Sequence, residues 1–330
     1  MHQPVMGTHL ELQITAPDQA TAQEAEALIV AEAMRLQDRF TVFDEASELC
    51  RWRSGALAEP GPELAVLLGL AADWQRRSGG AFNPLAGVLT DRWLAAEQGA
   101  EAPPADELAA LAASIREPRF DRSDRVPSPG TAGAVGAAGV AGAARGVEGV
   151  EGDRIVRLGP CDGVDLNALA KGHVVDLLAA RAMAALPISR LVVNAGGDLV
   201  HRGDGVLGVR VEDPHHPYDN VPPLVRIEVA NRAVATSGRA RRWFLVAGRH
   251  RSRVLDPRTG QPVDDTPSAT VVAPDAATAD VLATVASVLP PEEAVAFVDG
   301  LALEGIDAAC LVVDAEGAQH ASAAWPALIA

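Results

Sequence analysis

Residues 205–273 constrain the fold most, because this part of the chain is mostly a succession of short strand patterns. Apolar alternation and short apolar runs predict strands at 207–211, 225–229, 233–236, 243–247, 253–255 and 270–273. Outside this region, amphipathic patterns predict helices at 18–40, 62–78, 276–289 and 291–299, with strands at 10–14, 155–158, 191–195 and 309–313. Helices and strands interleave without the strict rhythm of a doubly wound parallel sheet. The pattern therefore predicts an α+β or mixed architecture.

Composition narrows the class of protein. The chain has 330 residues, 48% of them hydrophobic, which is enough for a substantial core. Its formal net charge is −16, which argues against general nucleic-acid binding. The three cysteines lie far apart without a CxxC pair, so they predict neither a disulfide framework nor a zinc site. No secretory signal and no membrane span is visible, so we expect a cytoplasmic protein, with an export signal outside this sequence as the alternative.

A Gly/Ala-rich tract interrupts the pattern at 123–150. Its small residues show no periodicity and bury too little surface to offset chain entropy. We interpret it as a disordered insertion within one domain that spans residues 1–330.

The stretch from Asp165 to Asp176 contains Lys171, the only lysine among 28 basic residues. A helical pattern follows it, which places Lys171 and Gly172 near a helix N-terminus, where free backbone N–H groups favour an anion. The glycine spacing is not that of a Walker P-loop. An exposed lysine with no function explains this stretch by itself about equally well.

Asp280 and Thr284 are four residues apart on a predicted helix, so their side chains share one face. A carboxylate and a hydroxyl suit Mg²⁺, which prefers oxygen ligands. The structural alternative is an aspartate near the helix start and a threonine bonded back to a helix carbonyl, and for these two residues alone it is favoured.

Seven arginines crowd into residues 239–258 and predict a local positive field suited to a phosphate-bearing ligand. Solvated hairpin faces are the competing interpretation.

Taken in order, eight short motifs resemble the FAD:protein FMN transferases, the ApbE family. They are Met6-Gly7-Thr8, Ser47-Glu48-Leu49, Gly80-Ala81-Phe82-Asn83-Pro84, Asp165 to Gly172 with Asp176, Asn194 to Asp198, Thr236-Ser237-Gly238, Asp256 to Gly260, and Ala279-Asp280 with Thr284. The resemblance spans nearly the whole chain apart from 123–150.

The resemblance implies an α+β, T-fold-like architecture of mixed sheets flanked by helices, in two intertwined subdomains with FAD between them. It implies Mg²⁺-dependent transfer of the FMN half of FAD to a Ser or Thr hydroxyl of an acceptor flavoprotein, with release of AMP. By position, the metal ligands would be Asp280, Thr284 and the Ala168 carbonyl. The FAD pocket would be lined by Met6, Ala81, Phe82, Asn83, Asp165, Lys171, Arg253 and Val254.

Two departures from the family pattern bear on catalysis. Asn83 stands where the family usually has Asp, and Arg253 stands where it has a His with a catalytic role. His250 lies three residues away, and strand alternation would point it to the opposite face from Arg253. Besides Asp280 and Lys171, His250 is the remaining candidate catalytic residue. The alternatives are a non-catalytic FAD-binding protein and an Mg²⁺-dependent FAD pyrophosphatase that releases FMN and AMP.

Overall fold

The structure, a computed structural model, describes residues 4–5, 7–99, 101–125, 154–217, 220–239 and 243–330. Its helices are α1 Gln19–Phe40, α2 Glu48–Arg53, α3 Pro62–Arg77, α4 Gly87–Gly99, α5 Ala105–Ser114, α6 Asn167–Ala185, α7 Ala276–Val288 and α8 Pro291–Gly300. Its strands are β1 Pro4–Val5, β2 Thr8–Thr15, β3 Phe120–Arg122, β4 Ile155–Arg157, β5 Arg190–Ala195, β6 Asp198–Gly203, β7 Leu207–Val211, β8 Val225–Val229, β9 Ala233–Ser237, β10 Trp243–Val246, β11 Arg249–Ser252, β12 Ser268–Ala273, β13 Ala309–Val313 and β14 Gln319–Ala321. Single 3₁₀ turns cover Leu301–Glu304 and Trp325–Leu328.

One eight-stranded sheet organises the fold, in the order β1-β2-β5-β6-β9-β12-β13-β14. Every neighbouring pair in it is antiparallel. Three further hairpins, β3–β4, β7–β8 and β10–β11, form separate two-stranded sheets. Strand β12 is buried along its whole length, as expected for a strand covered on both faces.

The two faces of the sheet bury different cores. Alternate residues of β9, β12 and β13, such as Ala235, Val271 and Val312, join the large core beneath the helices. Their neighbours, such as Val234 and Val272, join a smaller core with the β7–β8 hairpin and Trp325. Helices α6 and α7 pack against each other within the large core. The pair lies over β9 and β6, which brings the two predicted functional segments together.

The α+β prediction is confirmed, and most predicted elements lie within a few residues of the observed ones. The predicted strand at 253–255 is wrong, because the strand is Arg249–Ser252 and pairs with β10 through the turn at Ala247-Gly248. Residues 253 and 254 follow the strand, so strand alternation does not relate Arg253 to His250. Strand β6 was not predicted.

Strands β3 and β4 flank the predicted insertion in the sequence and pair with each other. Arg122 pairs with Ile155, and the Ser123 amide donates a 2.7 Å hydrogen bond to the Arg154 carbonyl. Of the insertion predicted at 123–150, residues 126–150 lie outside the described residues, so their predicted disorder stays a prediction. The predicted disorder is wrong for residues 123–125, which form a turn after β3. The two ends of the segment meet in one ladder, so the insertion is the connection of a single hairpin.

In the part of the chain that the structure describes, no helix has both the length and the apolar character that a membrane crossing needs.

Candidate active site

The start of α6 confirms that Lys171 lies near a helix N-terminus. The Asp165 carboxylate accepts a 2.8 Å hydrogen bond from the amide of Asn167, the first residue of the helix. The Asp165 amide in turn donates to the Pro84 carbonyl at 2.8 Å. Burial raises the pKa of Asp165. The motif therefore begins with a carboxylate that fixes the first turn of α6 against the 83–84 segment.

Gly172 allows α6 and α7 to approach closely. A Cβ atom at Gly172 would lie 2.1 Å from the Ala276 carbonyl oxygen, far inside contact distance. The Gly172 amide donates a 3.1 Å hydrogen bond to Asp280 Oδ2. The glycine is therefore required by helix packing, and this packing places Asp280 beside Lys171.

Asp176 anchors the start of α7 from one turn further along α6. Its two carboxylate oxygens accept hydrogen bonds of 2.9 Å from the amides of Ala276 and Ala277. Burial, together with the nearby Asp275 carboxylate, raises the pKa of Asp176 to about 7. We therefore interpret Asp176 as the residue that holds the two helices in register.

The two-residue turn Gly196-Gly197 positions Asp198. Both glycines have positive φ, 66° and 102°, and Ala195 pairs with Asp198 across the turn. Positive φ at both central positions is typical of the hairpin turns that match strand twist. The turn motif is therefore a structural device that places Asp198 at the first position of β6.

Lys171 lies between two buried carboxylates. Its Nζ is 2.8 Å from Asp198 Oδ2 and 3.0 Å from Asp280 Oδ2, and it donates a 3.1 Å hydrogen bond to the Asn167 carbonyl. The exposed fractions of the three side chains are 15% for Lys171, 6% for Asp198 and 7% for Asp280. An ammonium has three N–H donors, and three acceptor groups surround this one. The interpretation of Lys171 as merely exposed is therefore wrong.

One ammonium balances two carboxylates here, so the cluster keeps a net negative charge. Burial, reinforced by the Asp198 charge, raises the pKa of Asp280 to about 6, although Lys171 and the Gly172 amide oppose this rise. Burial works against the charged form of Lys171, but Asp280 and Asp198 outweigh it and raise the pKa of the ammonium. A site with unbalanced buried negative charge favours a cation.

The predicted metal ligands can be tested against this geometry. Within the described residues, the Thr284 hydroxyl has no hydrogen-bond partner, whereas the Ser287 hydroxyl donates back to the Ala283 carbonyl at 2.9 Å. The Gly172 amide, one helical turn along α6 from Ala168, donates to Asp280 Oδ2, so this part of α6 faces the Asp280 carboxylate. The Ala168 carbonyl lies in the first turn of α6, and the Asp280 carboxylate and the Thr284 hydroxyl lie in the second and third turns of α7. Together they are oxygen ligands of the kind that Mg²⁺ prefers. No group of three or more His, Cys, Asp or Glu side chains suited to a metal occurs among the described residues.

The predicted FAD-lining residues of the 81–83 segment are buried. Ala81 and Phe82 belong to the core, so they offer a ligand their backbone rather than their side chains. Asn83 is also buried: its Oδ1 accepts from the Leu85 amide at 2.9 Å, and its Nδ2 donates to the Ile115 carbonyl at 2.8 Å. The side-chain amide of Asn83 therefore has a structural role, because an ionised aspartate has no proton to donate to the Ile115 carbonyl. Met6 lies outside the described residues.

The structure does not bring His250 into the cluster. Its ring packs on Trp243, with centroids 5.0 Å apart, on the β10–β11 hairpin. Within the described residues it has no hydrogen bond or ion pair with Lys171, Asp198 or Asp280.

Arg253 directly follows β11 and contacts β10. Its guanidinium is 5.0 Å from the centroid of the Phe244 ring, and its Nε donates to the Trp243 carbonyl at 3.2 Å. Val254, the next residue, donates its amide to Ser252 Oγ at 3.1 Å.

Several arginines of the 239–258 segment are paired with carboxylates. Arg251 contacts Asp264 at 2.8 Å, and Arg258 contacts Asp256 of its own turn at 2.9 Å. Arg241 and Arg242 lie outside the described residues. The positive field expected of this segment is therefore partly neutralised.

Asp198 is the residue of the cluster to which sequence reasoning assigned no role. Its position directly after two glycines was the available signal, since a tight turn can fix the direction of the next side chain. Its partners, however, come from α6 and α7, 27 residues before it and 82 after it by numbering, and no local pattern predicts that meeting.

Solved structures define the class of fold. An ApbE protein from Thermotoga maritima superposes with a TM-score of 0.77 at 22% identity, covering 99% of this chain and 98% of that one. The flavin transferase ApbE from Vibrio cholerae superposes with a TM-score of 0.71 at 22% identity, covering 99% and 98% of the two chains. The fold is therefore that of the ApbE proteins.

The model of the ApbE family matches residues 6–309, and this chain belongs to that family. A relative from Escherichia coli strain K12, called FAD:protein FMN transferase, is 36% identical over 147 residues, 42% of this chain and 41% of that protein. A protein of the same name from Rhodobacter capsulatus is 28% identical over 296 residues, 88% of this chain and 51% of that protein. The matches thus span about two fifths to one half of these relatives' lengths.

Proposed function

We propose that this protein transfers the FMN half of FAD to a Ser or Thr hydroxyl of an acceptor flavoprotein and releases AMP. The observation that carries the proposal is the buried Lys171–Asp280–Asp198 cluster at the contact of α6 and α7. Phosphoryl transfer depends mainly on positioning and on neutralising charge at the phosphates. Membership of the ApbE family, whose named relatives are FAD:protein FMN transferases, supports FAD as the substrate.

Asp280, Thr284 and the Ala168 carbonyl are the residues proposed to hold Mg²⁺. When bound, Mg²⁺ would supply positive charge to the diphosphate of FAD and to the departing AMP. The chain contributes the rigid frame: Gly172 sets the distance between the helices, and Asp176 holds their register.

The reaction exchanges one phosphate bond for another. The acceptor oxygen forms a bond to the phosphorus on the FMN side, and the bond from that phosphorus to the bridging oxygen breaks. The bridging oxygen leaves with AMP, and the hydroxyl proton passes to solvent. Asp165 and the backbone of residues 81–83 are proposed to position the flavin end, with Arg253 and Val254 on the hairpin side.

The test is to incubate the protein with FAD, Mg²⁺ and a candidate acceptor, and to weigh both proteins by mass spectrometry. We expect the acceptor to gain one FMN and AMP to appear in equal amount. Asp280→Ala should abolish the transfer while the fold survives, and Thr284→Val should reduce it less, because water replaces a hydroxyl ligand more readily than a carboxylate. Full Mg²⁺-dependent transfer by Asp280→Ala would overturn the metal assignment.

Arg253 gives a specific reason to measure a second activity. A guanidinium stays protonated at physiological pH and cannot act as a base, unlike the histidine at this place in the family. FMN and AMP formed without labelling of the acceptor would identify an FAD pyrophosphatase, in which water replaces the acceptor hydroxyl. FAD bound without turnover would identify a non-catalytic flavin-binding protein.

A further inference from the structure

We propose that Asp198 is a positioning residue that holds the Lys171 ammonium so that a divalent cation can replace it at Asp280. The inference deepens the proposed function, because it rests on Mg²⁺ binding at Asp280. It assigns a role to the aspartate at the end of the Asn194–Asp198 motif.

Lys171 is shared between two carboxylates. The ammonium lies 2.8 Å from Asp198 Oδ2 and 3.0 Å from Asp280 Oδ2, so it is shared between them. A cation that bound Asp280 would compete with this ammonium for the same carboxylate oxygens. Displacing the ammonium from Asp280 costs less free energy when a second carboxylate remains within its reach.

Asp198 is buried and paired. Its side chain is 6% exposed, and its Oδ2 lies 2.8 Å from Lys171 Nζ. A buried carboxylate is costly unless a positive charge pairs with it, and the Lys171 ammonium supplies that charge. An ammonium that left Asp280 for Asp198 would therefore stay paired inside the protein.

The backbone fixes the position of Asp198 more firmly than the side-chain stem fixes the Lys171 ammonium. Asp198 follows the Gly196-Gly197 turn and pairs with Ala195 in the β5–β6 ladder. Gly196 is packed against Thr8, since a Cβ there would lie 2.1 Å from the Thr8 hydroxyl oxygen. A lysine, by contrast, carries its charge on a flexible four-carbon stem. The strand therefore supplies a fixed anchor, and the helix supplies the mobile charge.

The experiment measures Mg²⁺ affinity without FAD by isothermal titration calorimetry, in four proteins: wild type, Asp198→Asn, Lys171→Met and the double variant. Thermal melts with and without Mg²⁺ check the fold of each. Lys171→Gln serves as a polar substitute if Lys171→Met does not fold. The matched control is Asp204→Asn, which removes the same charge from an exposed residue six positions along the chain.

We expect Asp198→Asn to weaken Mg²⁺ binding about tenfold or more, because the ammonium is then left to Asp280 alone. Lys171→Met should strengthen binding, since the competitor is gone. In the Lys171→Met protein, adding Asp198→Asn should weaken Mg²⁺ binding by only about threefold or less, because the only remaining effect of the substitution is the loss of a screened charge. Asp204→Asn should change the affinity less than about twofold.

Two results would overturn the inference while leaving the proposed function intact. One is a wild-type affinity in Asp198→Asn. The other is an equal loss from Asp198→Asn with and without Lys171, which would make Asp198 a ligand or a source of general charge. A wild-type protein that binds no Mg²⁺ would instead contradict the proposed metal site. That result would overturn both the metal site and the role inferred for Asp198.

Discussion

The substitution Gly172→Ala tests the link between helix packing and the candidate active site. The added methyl group would lie 2.1 Å from the Ala276 carbonyl oxygen and 2.8 Å from the Ala277 amide nitrogen. Both atoms belong to the backbone at the start of α7, so rotation of a side chain cannot relieve the clash. Restoring normal contact requires α6 and α7 to separate by about 1 Å, an overpacking that typically costs about 1–3 kcal/mol.

Two smaller effects of the substitution oppose each other. Alanine favours a helix interior over glycine by about 1 kcal/mol. Separation would also weaken the 3.1 Å hydrogen bond from the Gly172 amide to Asp280, which is worth about 1 kcal/mol. These two terms nearly cancel, so we expect a net loss of about 1–3 kcal/mol in the free energy of unfolding.

Urea denaturation measures the stability, and calorimetric titration of Mg²⁺ measures the site. Mg²⁺ binding should weaken together with stability, because the Asp280 oxygens move away from the first turn of α6. Gly300→Ala is the matched control: Gly300 is the last residue of α8, and a Cβ there meets nothing within 4 Å. We expect the control to be neutral or stabilising by up to about 1 kcal/mol. A Gly172→Ala protein with wild-type stability and wild-type Mg²⁺ affinity would refute the packing argument.

Further predictions concern the charges of the site, the insertion and the buried amide. Because the pKa of Asp280 is raised to about 6, a proton competes with Mg²⁺ below that pH, and the affinity measured by calorimetry should fall as the pH drops from 7 to 5. Lys171→Arg should reduce both Mg²⁺-dependent activity and flavin affinity, since a planar fork cannot occupy a pocket built around a point charge; unchanged values would contradict this. Deleting residues 126–150 of the predicted insertion, which leaves the ion pair of Arg125 with Asp73 in place, should leave the melting temperature and flavin binding nearly unchanged, and a large loss of either would show that the segment packs. Asn83→Asp should lower the free energy of unfolding by about 1–3 kcal/mol in urea, because a carboxylate would face the Ile115 carbonyl without a proton to donate; wild-type stability would show that this hydrogen bond is dispensable.

Sequence patterns predicted the individual helices and strands of this fold better than they predicted which of them contact each other. Amphipathic spacing located α1 and α3, because each buries one face, and an apolar run located β5. The strand after the β10 turn was misplaced, because Arg249–Ser252 is polar and owes its pairing to the hairpin turn rather than to burial. Periodicity reports burial, so it misses strands held by backbone pairing alone.

The candidate site was predictable in part, for a physical reason. Lys171 attracted attention as the only lysine, and Asp280 because of its spacing from Thr284. Neither observation predicted that the two form an ion pair, since their contact depends on a backbone approach between α6 and α7 that only a glycine permits. The chemistry of residues that are distant in the sequence depends on their contact in the folded protein, and a local sequence pattern does not encode that contact.

Lysine at position 171 of an otherwise arginine-only chain follows from the same geometry. Arginines elsewhere in the described chain pair with carboxylates through a fork that can bind two oxygens of one carboxylate, as Arg35 does with Glu63 at 2.9 and 2.6 Å. At the buried cluster the acceptors come from three separate segments, the first turn of α6, the start of β6 and the second turn of α7. A small ammonium can face all three and can shift between them, whereas a guanidinium fixes its donors in one plane. The single lysine therefore lies where its charge can move between carboxylates, which is the property that the proposed binding of Mg²⁺ at Asp280 requires.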